Sequence, residues 1–181
     1  MDRAPFLQTD SLDLLPIERD DLERLRDILN HPEVRVPVNN HEPLNMADEE
    51  DWFEQERDKD DIHLVLHHRE DSEVIGLIGL EVIDQRSRVA ETGFFIHPDY
   101  HSRGLGSEAL STVLDYGFSE LNLHRIYANV LDFNDKSAGL LEKHGFSMEG
   151  TLREHAYVDG EYRDTLKYGL LRSEWEHRHQ T

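Results

Sequence analysis

The chain has 181 residues, enough for one well-packed domain and short for two, and no proline-, glycine- or serine-rich linker divides it, so a single domain over 1–181 is expected. Its formal charge is −20, from 39 acidic against 19 basic residues of which four are lysines, a balance that argues against nucleic acid as a partner. With no cysteine there is no disulfide framework, thiolate metal site or cysteine nucleophile, and no apolar run approaches the 18 residues of a membrane span.

The N-terminus, with Asp2 and Asp10 around a few apolar residues, lacks the basic and hydrophobic regions of a signal peptide, so a soluble cytoplasmic protein is expected. Residues 11–17 alternate as a first strand. Asp20 or Asp21 then caps a helix whose apolar face is Leu22, Leu25, Ile28 and Leu29, and Pro32 stops it. A second, acidic helix runs over 47–57 with Trp52 and Phe53 as its bulky anchors. Residues 62–67, 74–83 and 89–96 read as three strands of an antiparallel meander, joined by polar turns at 69–72 and 84–87. Further on, Leu105, Ala109, Leu110, Val113, Leu114, Phe118 and Leu121 repeat at helical spacing, giving about four turns. A strand over 125–130 follows. Asn134 or Asp135 starts a short helix through Leu140 and Leu141, with Gly145 as its left-handed terminator. Strands over 146–157 and 163–171 close the chain around Asp159-Gly160, a hairpin turn signal.

Acid spread over every segment, with lysine scarce, is the composition of a surface kept hydrated in high salt. The competing reading is attraction of cationic substrates, which weakens in such a medium because at about 1 M salt the screening length is roughly 3 Å. Unfolding below molar salt is the outcome that the high-salt reading requires.

Between the third meander strand and the long helix stands His97-Pro98-Asp99-Tyr100-His101-Ser102-Arg103-Gly104-Leu105-Gly106-Ser107. Gly104 and Gly106 let the backbone approach a ligand with no Cβ in the way, and the first-turn amides of a helix are unpaired donors. Such a nest binds phosphate, and Arg103 adds a cation on an otherwise repulsive surface. A tight strand-to-helix turn alone would use the same glycines. No lysine follows Gly106, so the loop is not a P-loop. Residues 104–109 fit the Rossmann pattern Gly-x-Gly-x-x-Gly/Ala, but seven residues separate Ile96 from Gly104 and a meander precedes it, which is the wrong context.

The loop resembles the Gln/Arg-x-x-Gly-x-Gly/Ala signature of the GNAT superfamily of acetyl-coenzyme A dependent N-acetyltransferases, departing from it at His101. The resemblance spans 12–175 and is closer to the branch that acetylates ribosomal-protein N-termini. Its marks are Ala90-Glu91-Thr92-Gly93-Phe94, His97-Pro98-Asp99-Tyr100, Asn134-x-x-Ser137, Leu141-Glu142-Lys143-His144-Gly145-Phe146 and Glu149-Gly150-Thr151-Leu152-Arg153-Glu154. It implies an α+β fold: a mixed, mostly antiparallel sheet of six to seven strands with a splayed parallel pair, flanked by about four helices. It also implies acetyl-CoA as cosubstrate, without a metal. Main-chain groups of Phe95, Ile96 and His97 are expected on the pantetheine arm, and His101, Arg103, Gly104, Leu105, Gly106 and Ser107 around the pyrophosphate. Asn134 is either an arm contact or a helix cap, or both.

The reaction needs a neutral amine, a polarised thioester and a proton for the departing thiolate. Deprotonating a lysine-like amine of pKa about 10.4 at pH 7 costs roughly 4.6 kcal/mol, and an α-amine of pKa about 7.7 only about 1 kcal/mol. A protein or peptide N-terminus is therefore the expected acceptor, with a small amine such as a polyamine, amino acid or antibiotic as the alternative. A non-catalytic CoA-binding module is a third reading. Glu91 is the candidate base, through a water, against the alternative of a carboxylate paired with an arginine. Ser137 is the candidate partner of the leaving thiolate, against a first-turn helix residue; Tyr157 and His155 are lesser candidates. Some family members carry a carboxylate where this chain has Ala156, so no base is assigned there. Without cysteine an acyl-cysteine intermediate is impossible, and direct attack in a ternary complex is expected. The 12 histidines include no His-Glu-x-x-His, His97 and His101 straddle Pro98 in a loop, and His177-x-His179 reads as a solvated tail, so no catalytic metal is expected. Either a monomer or a homodimer is compatible with the sequence.

Overall fold

A computed structural model of the chain describes residues 3–56 and 61–179, with the backbone alone at 56, 82, 83 and 179. Arg57, placed above at the end of the second helix, and the side chain of His179 lie outside the described residues. Among those described, eight strands form one sheet: β1 (Leu7–Gln8), β2 (Leu12–Pro16), β3 (Ile62–His68), β4 (Glu73–Asp84), β5 (Val89–Ile96), β6 (Arg125–Leu131), β7 (Ser147–Val158) and β8 (Glu161–Leu171). Their order is β1-β2-β3-β4-β5-β6-β8-β7. The helices are α1 (Leu22–Leu29), α2 (Pro32–Arg35), α3 (Met46–Glu56), α4 (Leu105–Ser119), α5 (Asp135–Lys143) and α6 (Arg172–His179). Two compact units divide the chain: Met1–Leu80 with Phe94–Val113, and Glu81–Gly93 with Leu114–Thr181.

In the first unit β2 pairs antiparallel with both β1 and β3, and β3 pairs antiparallel with β4. The apolar stripe of α1 is buried as its spacing predicts, Leu22, Leu25 and Ile28 all at 1 % exposure or less. Leu25, Val65 and Leu77 form a core cluster against which Ile17, Trp52, Val74 and Phe95 pack. Gly76 is required there. A Cβ at that position would stand 2.0 Å from the Phe95 carbonyl oxygen.

In the second unit β5 and β6 run parallel, pairing Val89 with Arg125, Ala90 with Ile126 and Glu91 with Tyr127. On its other side β6 pairs antiparallel with β8 as far as Leu131 and Thr165, and β8 pairs antiparallel with β7. Alternation buries Ile126, Ala128 and Val130 and leaves Tyr127 and Asn129 on the opposite face. Gly145 ends α5 at φ +91, and Asp159 and Gly160 turn the last hairpin with φ of 51° and 89°, the positive pair that a two-residue turn demands.

The element count exceeds expectation, eight strands for six to seven and six helices for about four. β1 is two residues long and carries no readable alternation. Pro32 does not merely stop α1; it opens α2 as its first residue, where its missing N–H costs nothing and the His31 ring accepts from the Glu33 N–H. α6 has no apolar period. Its apolar anchor is Trp175, 5 % exposed, which stacks on Phe118 at 6.1 Å, while Arg172 and Arg178 donate to the Phe118 and Lys143 carbonyls.

Candidate active site

The first unit holds the glycine loop. β5 ends at Ile96, and the His97 N–H donates to the Ile75 carbonyl at 2.7 Å. The next residues, Pro98–Tyr100, form a 3₁₀ turn in which the His97 Nδ1 accepts from the Asp99 N–H at 3.3 Å. Burial, then the positive charge of Arg24, lowers the His97 pKa, which fits a neutral accepting ring at pH 7. The Tyr100 hydroxyl donates to Asp71 Oδ2 at 2.8 Å and His68 Nδ1 lies 2.9 Å from the same oxygen. Burial and that hydrogen bond push the Tyr100 phenol up to about 12, and the bond holds the Asp71 carboxyl below its usual range. Above the Tyr100 ring sits the Arg103 guanidinium, 4.9 Å from its centroid.

His101, where the family signature has Gln or Arg, turns inward: its Nε2 lies 2.8 Å from the Ile96 carbonyl oxygen and, because a carbonyl only accepts, carries the proton. Ser102 at φ +61 and Gly104 at φ +84 then bend the chain into α4. The N–H groups of Ser107 and Glu108 both donate to the Gly104 carbonyl, at 2.9 and 3.1 Å. Among the described residues, the N–H groups of Arg103, Gly104, Leu105 and Gly106 donate to no protein acceptor. The helix start is held from behind. Glu108 accepts from Thr9 Oγ1 at 2.8 Å, from the Ser11 hydroxyl at 3.1 Å and from the Ser11 N–H at 3.2 Å.

The second unit holds the other candidates. Glu91 accepts from Asn129 Nδ2 at 2.7 Å, and Tyr127 stands on the same face. Burial first, then the charge of Glu91 and a hydrogen bond to it, push the Tyr127 phenol up to about 12. The ring of Tyr127 has Lys167 Nζ 4.9 Å from its centroid. Among the described residues no arginine pairs with Glu91; Arg125 is engaged with both oxygens of Glu149. Glu91 is therefore a carboxylate held by neutral donors, which fix its orientation without neutralising its charge.

Asn134 caps α5, its side-chain oxygen accepting from the Ser137 N–H at 3.2 Å. That bond uses one carbonyl lone pair, and the amide NH₂ has no acceptor among the described residues. Ser137 is half-buried in the first turn. Tyr157 is 56 % exposed and stacks edge-on against Tyr162 across the hairpin at 5.1 Å. His155 Nδ1 lies 3.3 Å from Thr165 Oγ1. Thus the loop candidates share one unit, while Glu91, Asn134, Ser137, Tyr157 and His155 share the other. Sequence reasoning missed Asn129 and Tyr127. The signal was the alternation of 125–131, which needed the parallel register with β5 to become specific.

Residues 11–147 match the model of the acetyltransferase (GNAT) domain. The chain is 35 % identical over 126 residues, 70 % of this chain and 68 % of the other, to the putative ribosomal N-acetyltransferase YdaF of Bacillus subtilis (strain 168). It is 31 % identical over 173 residues, 94 % of this chain and 91 % of the other, to the spermidine N(1)-acetyltransferase of Escherichia coli (strain K12). Among solved structures, the spermidine N-acetyltransferase of Vibrio cholerae in complex with CoA and spermine superposes with a TM-score of 0.86 at 29 % identity, covering 93 % of this chain and 99 % of that one. The mixed sheet, the matched domain and these relatives lead to one assignment: the chain belongs to the GNAT acetyltransferase family and is an N-acetyltransferase.

Proposed function

We propose that the chain transfers acetyl from acetyl-CoA directly to a primary amine within a ternary complex. The observation that carries this reading is the set of four N–H groups, Arg103 to Gly106, at the start of α4 that have no acceptor among the described residues, in a loop that also carries the Arg103 guanidinium over Tyr100. They suit a diphosphate, which wants several donors and a cation at once. Phe95 and Ile96 contribute main-chain groups to the pantetheine arm; His97, expected there too, has its N–H taken by the Ile75 carbonyl and its C=O by the Tyr100 N–H, while His101 and Ser107 shape the loop and the amide of Asn134 donates to the arm.

In the reaction the amine nitrogen attacks the thioester carbon and the carbon–sulfur bond breaks. The amine proton passes through a water to Glu91, and a hydroxyl, Ser137 or else Tyr157, protonates the departing thiolate. The expected acceptor is the α-amine of a protein or peptide, ribosomal proteins first, because its deprotonation costs least; similarity to the putative ribosomal enzyme supports it. Similarity to spermidine acetyltransferases supports a small amine as second reading.

Glu91→Gln keeps the size of the side chain and removes the base. Loss of about 10²–10⁴ in kcat with acetyl-CoA affinity unchanged is expected, read from thiol release against panels of N-terminal peptides and small amines. A variant as active as the wild type would remove Glu91 from the mechanism. Tight acetyl-CoA binding with no turnover on any amine would make the chain a CoA-binding module, and parallel double-reciprocal lines would exclude direct transfer.

A further inference from the structure

The first unit contains a cavity of about 210 Å³ whose wall is almost wholly hydrocarbon, formed by Leu25, Leu29, Leu44, Trp52, Leu77 and Phe95. Two carboxyl groups, Asp48 and Glu49, also line it. They differ in what they have to bind. Asp48 Oδ2 accepts from the Asn45 N–H at 2.8 Å and so closes the start of α3. Glu49 is 4 % exposed and, among the described residues, its carboxyl accepts no hydrogen bond and makes no ion pair. Burial raises its pKa, and Arg26, whose guanidinium is bonded to Asp27, offsets this only through space.

A carboxyl in an apolar wall is a costly arrangement unless a donor meets it, and native proteins supply that donor from the chain, from water or from a ligand. Here the chain supplies none that is described, and the remaining wall repels water. The volume takes about six or seven heavy atoms, judged against roughly 30 Å³ for a water molecule in the liquid. A ligand matching this cavity has a hydrocarbon body and one hydrogen-bonding cation. A second cation inside it would meet a wall that is hydrocarbon apart from Asp48, whose carboxylate already accepts from the Asn45 N–H.

We infer that the cavity binds a small monoamine with an alkyl or arylalkyl body, its ammonium donating to Glu49 and its carbon chain packed on Leu25, Leu44, Trp52, Leu77 and Phe95. This rests on the reading of the chain as an amine acetyltransferase and names the class of amine, one distinct from the polyamines of the spermidine enzymes. Apolar contact supplies affinity and Glu49 supplies selectivity for charge.

Calorimetric titration of the whole chain with n-pentylamine, with 1-pentanol as the uncharged isostere and spermidine as the polycation, tests this. It is run in about 1 M NaCl, where the screening length of roughly 3 Å suppresses diffuse attraction to the acidic surface. Pentylamine is expected to bind at least tenfold more tightly than either comparator. Glu49→Gln is expected to abolish the preference over pentanol and leave pentanol and acetyl-CoA affinities as they were. Should that variant fail to fold, Glu49→Asp, which retracts the carboxylate by one methylene, is read in the same way. Equal binding of pentylamine and pentanol by the wild type, or an unaltered preference in the folded variant, overturns the site. Acetylation of peptides by a chain that does not bind pentylamine overturns it too, while leaving the acetyltransferase reading in place. Selective pentylamine binding with no acetylation of any amine supports the site and sinks that reading instead.

Discussion

Two helices of this chain begin in opposite ways. α5 starts behind Asn134, whose side chain takes the Ser137 N–H and whose own N–H donates to the Leu131 carbonyl, so the protein itself meets donors on both sides of that start. α4 starts behind Gly104, which has no side chain to offer, and four consecutive N–H groups from Arg103 to Gly106 stay open among the described residues. Every helix has the same orphan donors at its start. What differs is who satisfies them. A capped start stabilises the fold; a start without a cap, bent outward by Ser102 and Gly104 and held from behind by Glu108, keeps its donors for an anion from outside.

Closing the open start is the most disruptive way to break this contrast. Gly104→Asp places an accepting carboxylate at the cap position, where it takes a first-turn N–H and repels a diphosphate. A Cβ at Gly104 meets nothing within 4 Å, so packing is undisturbed; the φ of +84° strains any residue with a side chain, Asp less than most. Acetyl-CoA affinity is expected to fall at least about 100-fold, close to 2.8 kcal/mol, with the circular dichroism spectrum retained. A change under threefold would mean that the open donors are not the diphosphate site.

A smaller effect comes from the cation beside them. Arg103→Ala removes a guanidinium that rests on Tyr100 and leaves the four N–H groups untouched. Charge-assisted hydrogen bonds contribute about 1.5–3 kcal/mol, so a loss of roughly 10- to 100-fold in acetyl-CoA affinity is expected in dilute buffer. The loss should shrink as salt is raised, because the side chain is exposed. A deficit that does not respond to salt would assign Arg103 a packing role instead.

Much of this contrast could be read before any coordinates. The limits of β5 coincide with the pattern over 89–96, Asn134 caps the helix that its residue type announces, and Gly145 and Asp159-Gly160 adopt the positive φ values their types allow. These are local signals, set by a residue and its immediate neighbours. What stayed hidden depends on contacts distant in sequence. Glu91 meets Asn129 only because β5 and β6 take one parallel register, and α6 is tied down by Trp175 on Phe118 and by Arg172 and Arg178 on distant carbonyls. Glu49 was concealed for another reason. A reading that counts apolar residues to find the buried face of α3 selects Trp52 and Phe53, and passes over an acidic residue, Glu49, that is 4 % exposed. His101 shows the same limit: its departure from the family signature was visible, but its bond to the Ile96 carbonyl was not.

The smallest predicted effect separates the two duties of Asn134. As a cap it accepts from Ser137; as a ligand contact it would donate from the amide nitrogen that the cap leaves uncommitted. Asn134→Ala removes both, and the lost cap should cost about 1 kcal/mol, lowering Tm by roughly 2–4 °C for a chain of this size. Asn134→Asp keeps an accepting oxygen for the Ser137 N–H and loses only the donor, so stability should return to the wild-type value. If the donor serves the pantetheine arm, acetyl-CoA affinity stays low in both variants, by about two- to tenfold for one neutral hydrogen bond. Wild-type affinity in the Asp variant would show that α5 starts as a self-contained cap, and that ligand binding at helix starts in this chain is confined to α4.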